Sequence, residues 1–244
     1  MIANVHLLPG LVTAEELAGT TVVVVDILRA TTTIVHALAA GATYVVPLLE
    51  IQEARDRQRA LGEAAVLGGE RGGEKIAGFH FGNSPTEYTR ASVGGKALLF
   101  TTTNGTRAMQ MCAQAKRVLI GSFANFSAVC RDVGRIERLD ILCAGTDGQI
   151  TREDVLFAGA VIDDLARSHT LQPNDQADIA ADAWRTAAAN FAGPQPLAEY
   201  LRASQGGRNL IEIGHQRDIE IAAQIDRFDL VAELDLKAWQ IRAV

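Results

Sequence analysis

The sequence predicts an α/β fold with a largely parallel or mixed sheet and a mostly helical C-terminal third. Three observations carry this expectation. Short β-branched and apolar runs alternate with helix-length segments through the first 148 residues. Val22–Val25 is a continuous apolar run without alternation, as a strand buried on both faces requires. Beyond Gly148 helical spacing takes over.

The elements follow in order. TVVVVDIL reads as a strand, and ATTTIVHALAAG as the helix behind it, closed at Gly41. TYVVPLL is the next strand; Pro47 has no N–H to give and marks an edge or an exit. IQEARDRQRALG is a solvated helix ending at Gly62, and AAVLGG a strand. KALLFTT, RVLIGSF and RLDILCAG are three more strands, spaced by helical segments around 109–115 and 126–136. Helices are then expected at 153–168, 178–191, 196–202 and 216–225, with FDLVAEL as a last strand. LQPNDQ reads as a loop between helices, so residues 1–244 form a single domain. Its helical part, about 150–228, either covers the sheet or forms a small lobe.

Composition narrows the function classes. A chain of 244 residues with 48% hydrophobic content can bury a sizeable core. The balance of 23 basic against 29 acidic residues, with no Lys/Arg block, speaks against a nucleic-acid partner. No apolar run approaches the ~20 residues of a membrane helix, and MIANVHLLPGLVTAEEL lacks the form of a signal peptide. Cys112, Cys130 and Cys143 are odd in number and show no CxxC spacing, against a disulfide framework or structural zinc. A cytoplasmic protein without a membrane partner is expected. A homodimer is the expected assembly, on no strong sequence feature.

In open α/β sheets ligands bind beyond the carboxyl ends of the strands. Four segments there are rich in Gly, Thr, Asn, Arg and acids: DILRATTT from Asp26, GGERGGEKIAGFHFGNSP from Gly68, TTTNGTRA from Thr101 and CAGTDGQITRED from Cys143. Glycines admit an anion to backbone N–H groups, and helix N-termini favour negative charge. Arg29, Arg71, Lys75 and Arg107 are the candidate cations for phosphate, carboxylate or sulfonate. Against them stand Asp26, Glu70, Glu74, Asp147, Glu153 and Asp154, which would repel an anion unless a divalent cation lies between. Mg²⁺ suits such a set, because it takes few carboxylates and leaves positions to water and phosphate.

Each element also has a plain structural reading. Asp26 or Asn104 could cap a helix, Thr31–Thr33 could merely begin one, Glu70 and Arg71 could be a surface pair, and Glu153 and Asp154 suit a helix start. The coincidence of four such loops favours a site. A P-loop is excluded because Glu74 stands where its lysine belongs, and no GxGxxG follows a strand. No cysteine has an arginine six residues on, and Asp26 has no second aspartate two residues later. His36 reads as structural, and His80 is the histidine to watch, since it sits in the Gly-rich loop.

DILRATTT, GERGGEKIAGFHFGNSP, TTTNGT and CAGTDGQITREDVLFAGA resemble the signature segments of the 2-phosphosulfolactate phosphatase (ComB) family. The tail, GGRNLIEIGHQRDIEIAAQIDRFDLV, resembles that family's C-terminal segment, so the likeness spans nearly the whole chain. His80 before FGNSP and Thr151-Arg152 before the acids depart from it. The resemblance implies a three-layer α/β/α fold and a Mg²⁺-dependent hydrolase that converts 2-phospho-3-sulfolactate to sulfolactate and phosphate, a step toward coenzyme M. It also adds Asp218. The expected metal ligands are Asp26, Glu70 and an acid from Glu153, Asp154 or Asp218. Asp26, Arg29, Glu70 and Arg107 are the expected catalytic group. Thr31, Thr32, Asn83, Ser84, Thr102, Thr103, Asn104 and Gly105 would hold substrate oxygens, and Arg71 or Lys75 the sulfonate or carboxylate. Rival readings are a non-catalytic binder, a phosphatase for another small phosphorylated hydroxy acid, and chemistry through an aspartyl-phosphate at Asp26.

Overall fold

The computed structural model describes residues 1–191 and 196–244. Its elements in chain order are β1 (Ile2–His6), α1 (Ala14–Leu17), β2 (Thr21–Val25), α2 (Ala30–Ala39), β3 (Tyr44–Leu48), α3 (Ile51–Leu61), β4 (Ala65–Arg71) and β5 (Glu74–Lys75). They continue with α4 (Arg90–Val93), β6 (Ala97–Thr101), α5 (Gly105–Met111), β7 (Arg117–Gly121), α6 (Phe126–Val133), β8 (Arg138–Cys143) and α7 (Arg152–Ala166). The C-terminal part adds β9 (Gln172–Pro173), α8 (Asp175–Ala189), α9 (Pro196–Arg202), α10 (Gln205–Glu212), α11 (Gln216–Ala222), β10 (Ala232–Asp235) and β11 (Gln240–Ala243). The strands form one mixed sheet in the order β5-β4-β6-β3-β11-β10-β7-β2-β8-β1-β9.

The valine run explains the layering. Every residue of β2 is buried. Val23 and Val25 pack with α6, α7 and the C-terminal helices, while Val22 and Val24 pack with α2 and α5 on the opposite face. Apolar side chains at successive positions are thus needed on both faces, and the fold is three-layered α/β/α. A smaller core beneath α3 joins β3, β4 and β6.

The sheet consists of two parallel blocks, β4-β6-β3 and β7-β2-β8-β1-β9, joined by the antiparallel hairpin β10–β11. The α2 connection from β2 to β3 and the α5 connection from β6 to β7 each pass from one block to the other. The three steps β3–β11, β11–β10 and β10–β7 are all antiparallel, so the blocks run in opposite senses along the ladder, and the two crossovers bring the carboxyl ends of β2, β4 and β6 to one place.

Several elements differ from the sequence reading. β1 carries Asn4 and His6, which break its apolar pattern, yet both contact the fully buried Asp140 (3.1 and 2.9 Å). β3 is an interior strand, not an edge. It pairs with β6 along its whole length but meets β11 only at Val45, so Pro47 sits where that second ladder has ended. The Pro47 carbonyl instead accepts from Trp239 Nε1 at 3.0 Å. α5 begins at Gly105, four residues before the expected segment. α10 falls in the gap left between expected helices, because its Gly206-Gly207 pair reads as a break. The 171–176 segment contains β9, and FDLVAEL is strand only from Ala232. Cys112, Cys130 and Cys143 are buried free thiols, with Cys143 at the end of β8. Among the described residues no helix is long and apolar enough to cross a membrane.

Candidate active site

A cleft of about 320 Å³ opens at the carboxyl ends of the strands. Asp26, Leu28 and Arg29 line it from the end of β2, Glu70, Gly72 and Gly73 from β4 and its turn, and Thr102, Thr103 and Asn104 from β6. Asn83, Thr146 and Asp147 complete one side, and Gly206, Asn209, Leu210, Glu212 and Ile213 from α10 and its end form the facing wall. All four loops singled out in the sequence therefore converge, although β4 and β2 belong to different blocks of the sheet.

Asp26 stands at the junction of those blocks. Its Oδ1 accepts from Ala30 N at 3.1 Å, so it does begin α2, as the plain reading had it. It also faces the start of α5: a Cβ on Gly105 would lie 2.8 Å from Asp26 Oδ2 and 2.8 Å from the Ala30 Cβ. Glycine is required for that approach. Burial, followed by the nearby Glu70 and Glu153 charges, raises the Asp26 carboxyl to about 7, against the pull of the Ala30 and Gly105 N–H groups.

Glu70 is held from both oxygens. Oε1 accepts from Thr103 N at 2.9 Å and from Thr103 Oγ1 at 3.2 Å, and Oε2 accepts from Gly73 N at 2.8 Å. Gly72 and Gly73 have φ of 61° and 84°, as a two-residue β-hairpin turn demands. Arg29 donates to Gly73 O at 2.6 Å and to Asp218 Oδ2 at 2.8 Å. Asp218 Oδ1 accepts from Ser84 Oγ at 2.6 Å. Arg29, the β4–β5 turn, the Ser84 loop and α11 are thereby joined in one buried network.

Asp154 joins two strand ends. Its Oδ1 accepts from Ile27 N at 2.8 Å, and its Oδ2 from Gly145 N at 3.0 Å. Burial, with the Asp26 and Glu153 charges, pushes its carboxyl well above the usual range. Burial likewise raises Glu153, which is 1% exposed and whose Oε2 has no hydrogen-bond partner. A buried, unpartnered carboxylate oxygen is costly unless a ligand completes it.

Other expected residues are placed differently. Thr31 and Thr32 spend their hydroxyls on the Asp26 and Ile27 carbonyls and do not line the cleft. Ser84 is committed to Asp218. Arg71 and Lys75 are exposed on the hairpin, with Arg71 bonded to the Glu70 and Leu49 carbonyls. Arg107 is exposed on α5, outside the cleft lining. His80 Nδ1 accepts from Leu67 N at 3.0 Å, a tie to β4. Asn104 makes no side-chain cap bond, and its residue lines the cleft. Asn83 is 6% exposed, lines the cleft and leaves its Oδ1 without a partner. The α10 wall escaped the sequence reading; its signal was the GGRNLIEIG segment of the tail.

The lining holds four carboxylates (Asp26, Glu70, Asp147 and Glu212) and one cation, Arg29, which is engaged with Asp218. Among the described residues no three His, Cys, Asp or Glu side chains are grouped so as to hold a metal by themselves. Asp154 and Asp218 are occupied by protein partners, and Glu70 accepts at both oxygens. Asp26, which lines the cleft and accepts at Oδ1 from Ala30 N, and Glu153, whose Oε2 is unpartnered, keep the most capacity for a cation. Two carboxylates with further oxygens from water and phosphate are the usual protein share of a Mg²⁺ site, so the donor set fits.

The family model for 2-phosphosulpholactate phosphatase matches residues 6–237. A probable 2-phosphosulfolactate phosphatase of Symbiobacterium thermophilum is 45% identical over 215 residues, covering 87% of this chain and 90% of the relative. Proteins with the same description from Caldanaerobacter subterraneus subsp. tengcongensis and Thermotoga maritima are 36% and 37% identical, each covering about nine-tenths of both chains.

Proposed function

The chain belongs to the 2-phosphosulpholactate phosphatase family, and from that premise we propose that it hydrolyses 2-phospho-3-sulfolactate to sulfolactate and phosphate with Mg²⁺. In an organism that makes coenzyme M, sulfolactate would enter that route. The observation that carries the metal dependence is the charge of the cleft. Four carboxylates and one engaged arginine would repel a phosphorylated, sulfonated acid unless a divalent cation intervened.

Asp26 and Glu153 are the residues that would hold Mg²⁺, which when bound supplies charge neutralisation and an acidified water. The protein's own part is positional. Glu70 fixes Thr103 and Gly73, so the β6 loop and the β4–β5 turn stand in a set relation across the cleft. Thr102, Thr103, Asn104 and Asn83 offer neutral hydrogen bonds to phosphoryl or organic-acid oxygens. Arg29 orders the wall through Gly73 and Asp218 and presents the remaining positive charge.

The test is phosphate release from 2-phosphosulfolactate with Mg²⁺ and with EDTA, beside a panel of other phosphorylated hydroxy acids. Mg²⁺-dependent release selective for phosphosulfolactate is expected. Release from other esters but not this one would keep the site and discard the substrate. No release from any would favour a binding protein.

A further inference from the structure

Glycine in a helix costs roughly 1 kcal/mol relative to alanine, yet α10 opens Gln205-Gly206-Gly207. Two different neighbours account for the pair. A Cβ on Gly207 would lie 2.0 Å from the Leu201 carbonyl oxygen, so this glycine lets α10 lie against the end of α9. A Cβ on Gly206 would lie 2.0 Å from Glu153 Oε1 and 3.4 Å from the Leu28 Cβ. Gly206 also lines the cleft, and Glu153 is buried with Oε2 unpartnered, close enough for its charge to act on Asp26. Glu153 is 1% exposed, so its carboxylate has little open space into which to yield to an added methyl.

We propose that Gly206 is a positioning residue, which by lacking a side chain lets the first turn of α10 fix one Glu153 oxygen and leave the other for a cation shared with Asp26. This rests on the reading of Glu153 as a metal-holding carboxylate given above. It assigns to the C-terminal helices a role in setting the site's geometry, and it explains why one of two adjacent glycines faces the cleft.

The test is a cycle of Gly206→Ala, Glu153→Asp and the double variant. Each is read by the Mg²⁺ concentration for half-maximal phosphate release and by the rise in Tm that Mg²⁺ produces. Gly206→Ala should raise the Mg²⁺ requirement roughly 10- to 100-fold, the range for residues that orient a metal ligand, and should shrink the Tm response. In the Glu153→Asp background the shorter side chain vacates the Cβ position, and the added alanine should change the requirement less than about twofold, a non-additivity expected only of contacting residues. A folded Gly206→Ala protein with an unchanged Mg²⁺ requirement overturns the proposal, as does full additivity. If Gly206→Ala fails to fold, folding of the double variant supports the contact, and its failure overturns it. A wild-type protein that neither binds Mg²⁺ nor releases phosphate refutes the proposed function instead, while the Tm values of the four proteins still judge the Gly206–Glu153 contact.

Discussion

Replacing Asp218 by alanine tests how the cleft is held together. The Arg29 and Asp218 side chains are 3% and 2% exposed and 2.8 Å apart, so neither charge is served by bulk water. Removing one partner of a buried pair typically costs about 3–5 kcal/mol, because the other charge is left uncompensated. Arg29 would keep its bond to the Gly73 carbonyl, and Ser84 its contact with Thr86 at 2.7 Å, which places the cost near the lower end, about 3 kcal/mol. In a chain of this length each kcal/mol shifts Tm by roughly 2–4 °C, so a loss of roughly 6–12 °C is expected. Calorimetry and urea titration at neutral pH would measure it. Arg29→Met with Asp218→Leu should recover much of the stability, since both charges are then gone, while activity stays lost because Arg29 lines the cleft. A fall below about 2 °C for Asp218→Ala would refute the reasoning. It would mean that Arg29 is compensated from the cleft side and is free to serve the ligand directly.

Asp26→Asn should abolish turnover and leave the fold intact; activity above about a tenth of wild type, only ~1.4 kcal/mol of barrier, would remove Asp26 from the metal. The raised Asp26 carboxyl also has a signature in stability. The native state binds this proton more tightly than the unfolded chain between 3.8 and about 7, so stability in EDTA should fall as pH rises through that window. Asp26→Asn should flatten the slope of Tm against pH, and an unchanged slope would assign it to another group. Arg107→Ala should change kcat/KM less than about twofold and stability by less than about 0.5 kcal/mol, as for exposed positions away from special contacts. A loss of activity of tenfold or more would show that α5 presents Arg107 to the substrate.

Much of this architecture is legible in the residues, for identifiable reasons. Val22–Val25 announces a strand covered on both faces, and Asp26 marks where it leaves the core. The four Gly- and acid-rich loops each follow a strand's carboxyl end, but their meeting is not legible in sequence, because β2 and β8 run opposite to β4 and β6 along the ladder and only the α2 and α5 crossovers bring the loops together. Missed elements are those in which tertiary contacts offset a poor local pattern. β1 contains Asn4 and His6, whose partner Asp140 lies 136 and 134 positions away in sequence. α10 begins with two glycines that make sense only beside Glu153 and Leu201. Side-chain direction is harder still to read. Thr31 and Thr32 look available to a phosphate, yet at the start of a buried helix their hydroxyls are drawn to nearby backbone carbonyls. Arg107 follows a site loop, but its place on α5 turns it to solvent.

The cations named from sequence as anion receptors are largely outside the cleft, and the acids are largely in or behind it. Arg71, Lys75 and Arg107 are exposed, while Asp26, Glu70, Glu153, Asp154 and Asp218 are buried. The protein could relieve such crowding by neutralising its carboxylates with protons, with hydrogen bonds or with a metal. Glu70, Asp154 and Asp218 take the second course, each accepting at both oxygens from N–H or O–H groups. Asp26 takes it in part, from the Ala30 and Gly105 N–H groups, and Glu153 takes it at one oxygen only, with Oε2 left unpartnered. Burial makes both charged forms unfavourable, and at Asp26 the Glu70 and Glu153 charges add to it; a cation placed between Asp26 and Glu153 would reverse that sign while giving an anionic substrate somewhere to bind. On the proposed function the hydrogen-bonded carboxylates build the cleft, and Asp26 with Glu153 would hold the cation. The Asp26→Asn slope and the Gly206–Glu153 cycle examine the two members of that pair separately.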